Sequence, residues 1–61
     1  MNTANNDYIV EILQNVGMID HAIAEKALDK ANRDDRPVAE VLEDSGLTTV
    51  GDILKVLANQ L

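Results

Sequence analysis

The sequence predicts an all-α fold: a small bundle of four short helices, made of two helix–turn–helix repeats. Apolar residues recur at spacings of three and four, which is the helical period, and no stretch alternates as a half-buried strand would. Gly17 and Gly46 each follow an apolar stripe and precede a helix-capping residue. Sliding the chain by 29 residues places Leu13 on Leu42 and superimposes the two glycines. Each repeat has one apolar stripe and needs the other to bury it.

The first predicted helix runs from about Asp7 to Val16, with Asn5 or Asn6 as its cap. Gly17 ends it as a left-handed residue after the last turn. Residues 1–6 are expected to be a flexible N-terminus, and residues 7–61 a single helical domain. The apolar stripe of this helix comprises Ile9, Ile12, Leu13 and Val16.

The second predicted helix completes the first repeat, which covers about residues 8–32. Asp20 is a favourable N-cap for this helix, and the polar, turn-forming run 32–35 follows its last apolar residue. Its inward stripe comprises Ile23, Ala24, Ala27, Leu28 and Ala31.

The second repeat, about residues 37–61, has the same plan. Pro37 suits the first turn of a third helix, where a missing N–H costs nothing, and Asp35 or Arg36 is the expected cap. Gly46 ends that helix. The third stripe comprises Val38, Val41 and Leu42.

Thr49 opens the fourth predicted helix, and Asp52 three residues later makes a short variant of a capping box. The apolar residues expected to complete the core are Val50, Ile53, Leu54, Leu57 and Leu61. One leucine in each helix is expected to be the most buried residue there: Leu13, Leu28, Leu42 and Leu57.

Composition excludes several classes of protein. Five Lys and Arg against eleven Asp and Glu give a net charge of −6, whereas nucleic-acid binding needs clustered basic residues. The chain has no Cys, so disulfides and thiolate metal sites are impossible. No apolar run reaches the roughly 18–20 residues of a membrane span, and the polar N-terminus does not look like a signal peptide. A domain of about 60 residues also has a small core, which favours a binding module over an enzyme.

His21, the only imidazole, is expected to be an exposed residue at the start of the second helix. A catalytic histidine needs a base or nucleophile within reach, and no Ser is suitably marked. A metal site is not expected either, since helical His pairs and Cys pairs are absent. No catalytic residue, ligand-binding residue or cofactor is therefore predicted.

The basic residues are concentrated in one part of the chain. Lys26, Lys30 and Arg33 have helical spacing and form a ridge on the second helix, and Arg36 follows them. Ordinary pairing with nearby carboxylates is one interpretation. The other is a strip that docks an acidic partner or a phosphate. Tyr8, the only aromatic residue, is the remaining candidate for a protein interface.

The two repeats resemble the tandem motif of the secretion ATPase N-terminal domain, also called the MshE N-terminal domain, of type II secretion and type IV pilus assembly ATPases. The similarity covers residues 8–60. The second copy reads PVAEVLEDSGLTTVGDILKVLANQ and matches at Val38, Leu42, Gly46, Leu47, Ile53, Leu57 and Gln60. The first copy reads YIVEILQNVGMIDHAIAEKALDKA and matches at Ile9, Leu13, Gly17, Met18, Ile19 and Leu28, with Ala24 at a weakened position.

Members of that family either bind cyclic di-GMP or serve as docking domains. The binding members use an Arg and a Gly at the start of the motif, where this chain has Tyr8 and Pro37 for Arg and Val10 and Ala39 for Gly. Arg36 stands one residue before its motif position and compensates in one copy at most.

The resemblance therefore implies a cytoplasmic docking domain whose partner is another protein, such as a cytoplasmic domain of an inner-membrane secretion or pilus component. The ATPase chemistry would lie elsewhere, because no phosphate-binding Gly-Lys-Ser/Thr motif occurs in this chain. The alternatives are a degenerate cyclic di-GMP-binding regulatory domain and a free-standing acidic helical adaptor.

Overall fold

The computed structural model describes residues 4–60, which form four helices and no strand. The predicted all-α bundle is confirmed, with one helix at each predicted place. None of these helices combines the length and apolar character that a membrane crossing requires. The helices are α1 (Ala4–Asn15), α2 (His21–Asp34), α3 (Val38–Asp44) and α4 (Val50–Asn59).

The centre of the bundle is the pair α1 and α3. These two helices contact each other and each also contacts α2 and α4, whereas α2 and α4 do not contact one another. The outer helices therefore lie on opposite sides of the central pair. The largest fully buried side chains are Leu13 from α1, Val38 and Leu42 from α3, and Ile53 from α4.

The expected order of burial is right for the central helices and wrong for the outer ones. Leu13 and Leu42 are 0% and 1% exposed, but Leu28 and Leu57 are only half-buried. The deepest α2 positions are instead alanines, whose small side chains allow a close approach to the central pair and leave Leu28 at the margin of the contact. On α4, Ile53 takes the central position and Leu57 packs beside it.

Two further residues that were expected in the core are exposed. Leu54 is 58% exposed because it lies next to Ile53 on the outer side of α4. Val16 is 47% exposed because α1 ends at Asn15 and the chain turns before Val16 can continue the stripe. Leu61 lies outside the described residues.

The turns and two of the caps are confirmed. Gly17 and Gly46 have φ values of +79° and +82°, the left-handed conformation that ends a helix at low cost only in glycine. The Asp20 carboxylate accepts a hydrogen bond from the Ile23 amide at 2.8 Å, and the Thr49 hydroxyl accepts one from the Asp52 amide at 3.1 Å. Each cap satisfies one unpaired N–H of its helix.

The start of α1 differs from the prediction. The helix begins at Ala4, three residues before the expected start, so Asn5 and Asn6 lie within it and do not cap it. Residues 4–6 are therefore helical rather than part of a flexible N-terminus, and residues 1–3 of that segment lie outside the described residues. Asn6, in this first turn, is hydrogen-bonded to the start of α3.

The predicted caps of α3 are also wrong. Asp35 takes a left-handed conformation with φ of +58° and ends α2, one residue beyond the helical Asp34. The Arg36 amide then donates back to the Ala31 carbonyl at 2.9 Å, so neither residue is free to cap α3. Pro37 occupies the N-cap position and has no side-chain oxygen to offer.

Asn6 of α1 supplies the missing cap from across the bundle. Its Oδ1 accepts a hydrogen bond from the Val38 amide at 3.0 Å, and its Nδ2 donates to the Arg36 carbonyl at 3.1 Å. Asn6 is 5% exposed and is the one buried polar side chain among the described residues. Both of its polar atoms are paired, as burial requires, so α1 and α3 are joined by a specific contact as well as by apolar packing.

Candidate functional site

An apolar groove lies between α2 and α3, and Leu47, in the segment after Gly46, belongs to its lining. Its volume is about 230 Å³. Ala27, Val41 and Leu42 form a buried floor, whereas Leu47 is 52% exposed at the rim. The complete lining, which we call the α2–α3 groove, is Ile23, Lys26, Ala27, Lys30, Val41, Leu42, Ser45 and Leu47.

Two lysines of α2 border this groove. Lys26 and Lys30 are four residues apart and so lie on the same side of the helix, one turn from each other. Lys30 Nζ lies 3.4 Å from Asp34 Oδ2 in an exposed ion pair. Within residues 4–60, Lys26 forms no ion pair. The groove thus combines an apolar floor with a positive border on a chain of net charge −6.

The other two predicted basic residues do not border the groove. Arg33 Nε lies 3.5 Å from Asp29 Oδ2, an exposed pair on α2 itself. Arg36 Nη2 contacts Asp44 Oδ2 at 2.9 Å and Glu40 Oε1 at 3.3 Å. Arg36 therefore does not continue the α2 ridge of Lys26, Lys30 and Arg33, because the left-handed Asp35 ends α2 and directs Arg36 toward α3.

Arg36 has a structural environment of its own. Hydrogen bonds from its guanidinium to Asp44 and then Glu40 raise the pKa of Arg36, so it stays cationic. The guanidinium is held between two carboxylates of the same helix, one turn apart. Its charge is thus largely matched within the bundle and is less available to an external anion.

Tyr8 is 52% exposed on α1 and is not among the residues that line the α2–α3 groove. The position equivalent to it in the second repeat, Pro37, is exposed as well. Tyr8 is therefore accessible to a partner, as the sequence predicts, but it presents a separate surface from the two lysines.

His21 is exposed at the first position of α2. Its Nε2 lies 3.3 Å from Glu25 Oε2, and its Nδ1 lies 3.2 Å from Gln14 Oε1. The contact with Gln14 links the start of α2 to the last turn of α1, whereas Glu25 lies on α2 itself. Among the described residues, no group of three or more His, Cys, Asp or Glu is placed to hold a metal ion.

Sequence reasoning identified the lysines but missed the groove beside them. The sequence predicts Val41 and Leu42 as core residues. No feature of it indicates that the sides of these residues that face α2 line an accessible groove. Leu47 carried the one usable signal: it is a large apolar residue outside the helical stripes, directly after the turn glycine. Its equivalent in the first repeat, Met18, packs against the core instead.

Comparison with protein-family models, curated proteins and solved structures gives no match to this chain.

Proposed function

We propose that this chain is a docking module that binds another protein in the cytoplasm and has no catalytic site of its own. The observation that carries the proposal is the α2–α3 groove, which keeps Leu47 more than half exposed beside an otherwise buried apolar floor. Apolar surface rimmed by polar residues is typical of protein interaction sites. A partner that covers this surface would gain the free energy of burying it.

The context we propose is that of the family the motif resembles: the N-terminal docking domain of a secretion or pilus assembly ATPase. The partner would then be a cytoplasmic domain of an inner-membrane component of the same machinery. The apolar and glycine positions of the motif support this proposal, because in this chain they build the bundle and its two turns.

Two features favour docking over cyclic di-GMP binding. Val10 stands where the binding members have Gly, and its side chain is buried in the core, so the α1 backbone is covered there. Arg36, the nearest basic residue to a motif Arg position, is already held by Asp44 and Glu40. A ligand with two phosphates would find neither close backbone access nor a free guanidinium at these positions.

Association kinetics with the purified partner domain test the proposal. We expect the double variant Lys30→Glu/Arg33→Glu to bind more slowly than the parent at low salt, where screening is weakest, because charge mainly affects association. Its melting temperature should change little, since both side chains are more than half exposed. Lys55→Glu on α4 is the control for added negative charge away from these residues.

Three outcomes would contradict parts of this proposal. Absence of saturable binding to that domain would remove the secretion or pilus context. Micromolar binding of cyclic di-GMP in a calorimetric titration would replace docking by nucleotide sensing. Unchanged association of the double variant at low salt would exclude Lys30 and Arg33 from the interface.

A further inference from the structure

We infer that the α2–α3 groove binds one turn of a partner helix, through an apolar side chain flanked by two carboxylates four residues apart. This inference rests on the proposed docking function and adds to it the site and the chemistry of the partner. It depends on three features of the groove: its size, the spacing of its two lysines, and whether those lysines are already held in ion pairs.

The size of the groove favours side chains over an enclosed small molecule. Its volume of about 230 Å³ is below the ~300–1,000 Å³ of typical small-molecule pockets. Lys26 and Lys30 both belong to the lining, so α2 borders the groove over about one helical turn. A partner helix can place an apolar side chain in a groove of this kind.

The spacing of the two lysines matches the repeat of another helix. Lys26 and Lys30 are four residues apart on α2, a rise of about 6 Å at 1.5 Å per residue. Carboxylates four residues apart on a partner helix have the same rise. A partner helix aligned with α2 can therefore place one carboxylate at each lysine while its apolar residue contacts Leu47 and the groove floor.

The charges at this border are available for a partner. Lys26 forms no ion pair in the part of the chain that the structure describes, and Lys30 is held only by an exposed pair with Asp34. Exposed pairs of this kind contribute little, so Lys30 can exchange Asp34 for a partner carboxylate. Arg33 and Arg36, in contrast, lie away from the groove and contact carboxylates there.

The net charge of the chain limits what that partner can be. At −6, the chain repels a strongly acidic segment beyond the immediate neighbourhood of the two lysines. The same charge opposes a second copy of the chain and a vesicle of anionic lipids. The occupant that fits is therefore a helix with two local carboxylates and a net charge close to zero.

Two synthetic helical peptides test the inference by nuclear magnetic resonance titration of the isotope-labelled chain. One carries a leucine flanked by glutamates four residues apart, with compensating lysines on its far face. The other has glutamine in place of both glutamates. We expect saturable shifts of the Ala27, Val41 and Leu47 amides, with the glutamate peptide about two- to fivefold tighter, since two exposed ion pairs contribute modestly to affinity.

The two repeats provide matched control variants. Lys26→Glu should remove the preference for the glutamate peptide, whereas Lys55→Glu, at the equivalent position 29 residues later, should preserve it. Leu47→Ser should weaken both peptides, whereas Leu54→Ser should not, although both leucines are more than half exposed. All four substitutions alter exposed side chains, and melting curves would verify that each variant is folded.

The outcomes separate this inference from the proposed function. Equal affinities for the two peptides, no saturable shift in the groove, or equal effects of Lys26→Glu and Lys55→Glu would overturn the inference. If the fatty acid decanoate binds more tightly than either peptide, the groove holds a small apolar ligand. If the chain self-associates in sedimentation, the occupant is a second copy of the chain. Either result would overturn the inference. If the partner domain binds Lys26→Glu and Leu47→Ser as it binds the parent, docking stands and this groove is not its site.

Discussion

The two repeats of this chain share one sequence plan but hold their outer helices differently. In the first, α2 is 14 residues long and buries Ala24, Ala27 and Ala31 against the central helices. In the second, α4 is 10 residues long and buries Ile53 alone. A close helix approach through alanines spreads the contact over about two turns, whereas one large side chain concentrates it at a single point.

Some equivalent positions of the two repeats are buried to a similar degree. Ala24 and Ile53 occupy equivalent positions, 29 residues apart, and are the most buried or nearly the most buried residues of their helices, at 2% and 0% exposure. Leu28 and Leu57 are equivalent too, and both are half-buried. At these two pairs of positions the repeat keeps the degree of burial, although the residue type changes at the first pair, whereas Ala31 is buried and its equivalent Gln60 is exposed.

Besides the shared apolar core, one polar contact joins the two repeats. α3, in the second repeat, has no side-chain cap of its own and takes one from Asn6 in the first. The equivalent position in the second repeat is Asp35, which ends α2 instead. A single substitution near the N-terminus should thus affect the second half as much as the first.

The largest expected effect is at Ile53, because α4 buries no other side chain completely. Ile53→Ala should lower the free energy of unfolding by about 2–5 kcal/mol, through lost apolar contact and the cavity left behind. Since a domain of this size has only ~3–5 kcal/mol in total, Ile53→Val, with an expected loss of about 0.5–1.5 kcal/mol, gives the graded measurement.

Leu54→Ala is the matched control for Ile53, one residue along and 58% exposed. Urea denaturation followed by circular dichroism should show a change within about 0.5 kcal/mol for it. If Leu54→Ala were as damaging as Ile53→Ala, the exposed side of α4 would be covered by something that the isolated bundle does not contain.

The next effect is expected at Asn6, the contact that joins the halves. Asn6→Ala should cost about 1–3 kcal/mol, because the buried Val38 amide and the Arg36 carbonyl both lose their partner. The higher helix propensity of alanine offsets a few tenths of a kcal/mol of this loss. Thermal denaturation of Asn5→Ala, the exposed neighbour on the same helix, is the control and should show almost no loss.

Hydrogen exchange sharpens the Asn6 prediction. With the cap removed, the amides at the start of α3 should exchange faster, while those of α2 stay protected. Equal loss of protection in all four helices would instead show that Asn6 acts on the whole bundle and not specifically on α3.

Most of the local structure follows from the sequence, because its causes are local. Asp20 and Thr49 cap helices through amides three residues away, and Gly17 and Gly46 adopt a conformation that is strained for other residues. A pattern of three and four residues also identifies which side of each helix is apolar. These signals predict four helices and two turns without any tertiary information.

The rest depends on how the helices approach one another, which the sequence does not state. Nothing near Asn6 indicates a partner 32 residues away, so it was assigned to the start of its own helix. Periodicity predicts which side of α2 is apolar, but it does not give the distance between α2 and α1. The sequence therefore does not show that the alanines of this stripe take its deepest positions. The α2–α3 groove depends on helix approach in the same way, since the sequence predicts the lysines of α2 but not that Val41 and Leu42 of α3 form a floor with Ala27.

The smallest expected effect compares the two turn glycines, which occupy equivalent positions and have nearly equal φ values of +79° and +82°. A Cβ at either would meet no atom within 4 Å, so substitution costs only backbone strain. Gly17→Ala and Gly46→Ala should each lose about 1–2 kcal/mol, or roughly 4–16 °C in melting temperature.

Gly51→Ala is the control, and its expected effect has the opposite sign. Gly51 lies within α4, where alanine is the better helix former by about 0.5–1 kcal/mol. A Cβ at this position would approach only the Thr49 hydroxyl, at 3.8 Å. Equal losses at Gly17 and Gly46 with a gain at Gly51 are expected; a much smaller loss at Gly46 would mean that the less firmly held α4 tolerates a different turn before it.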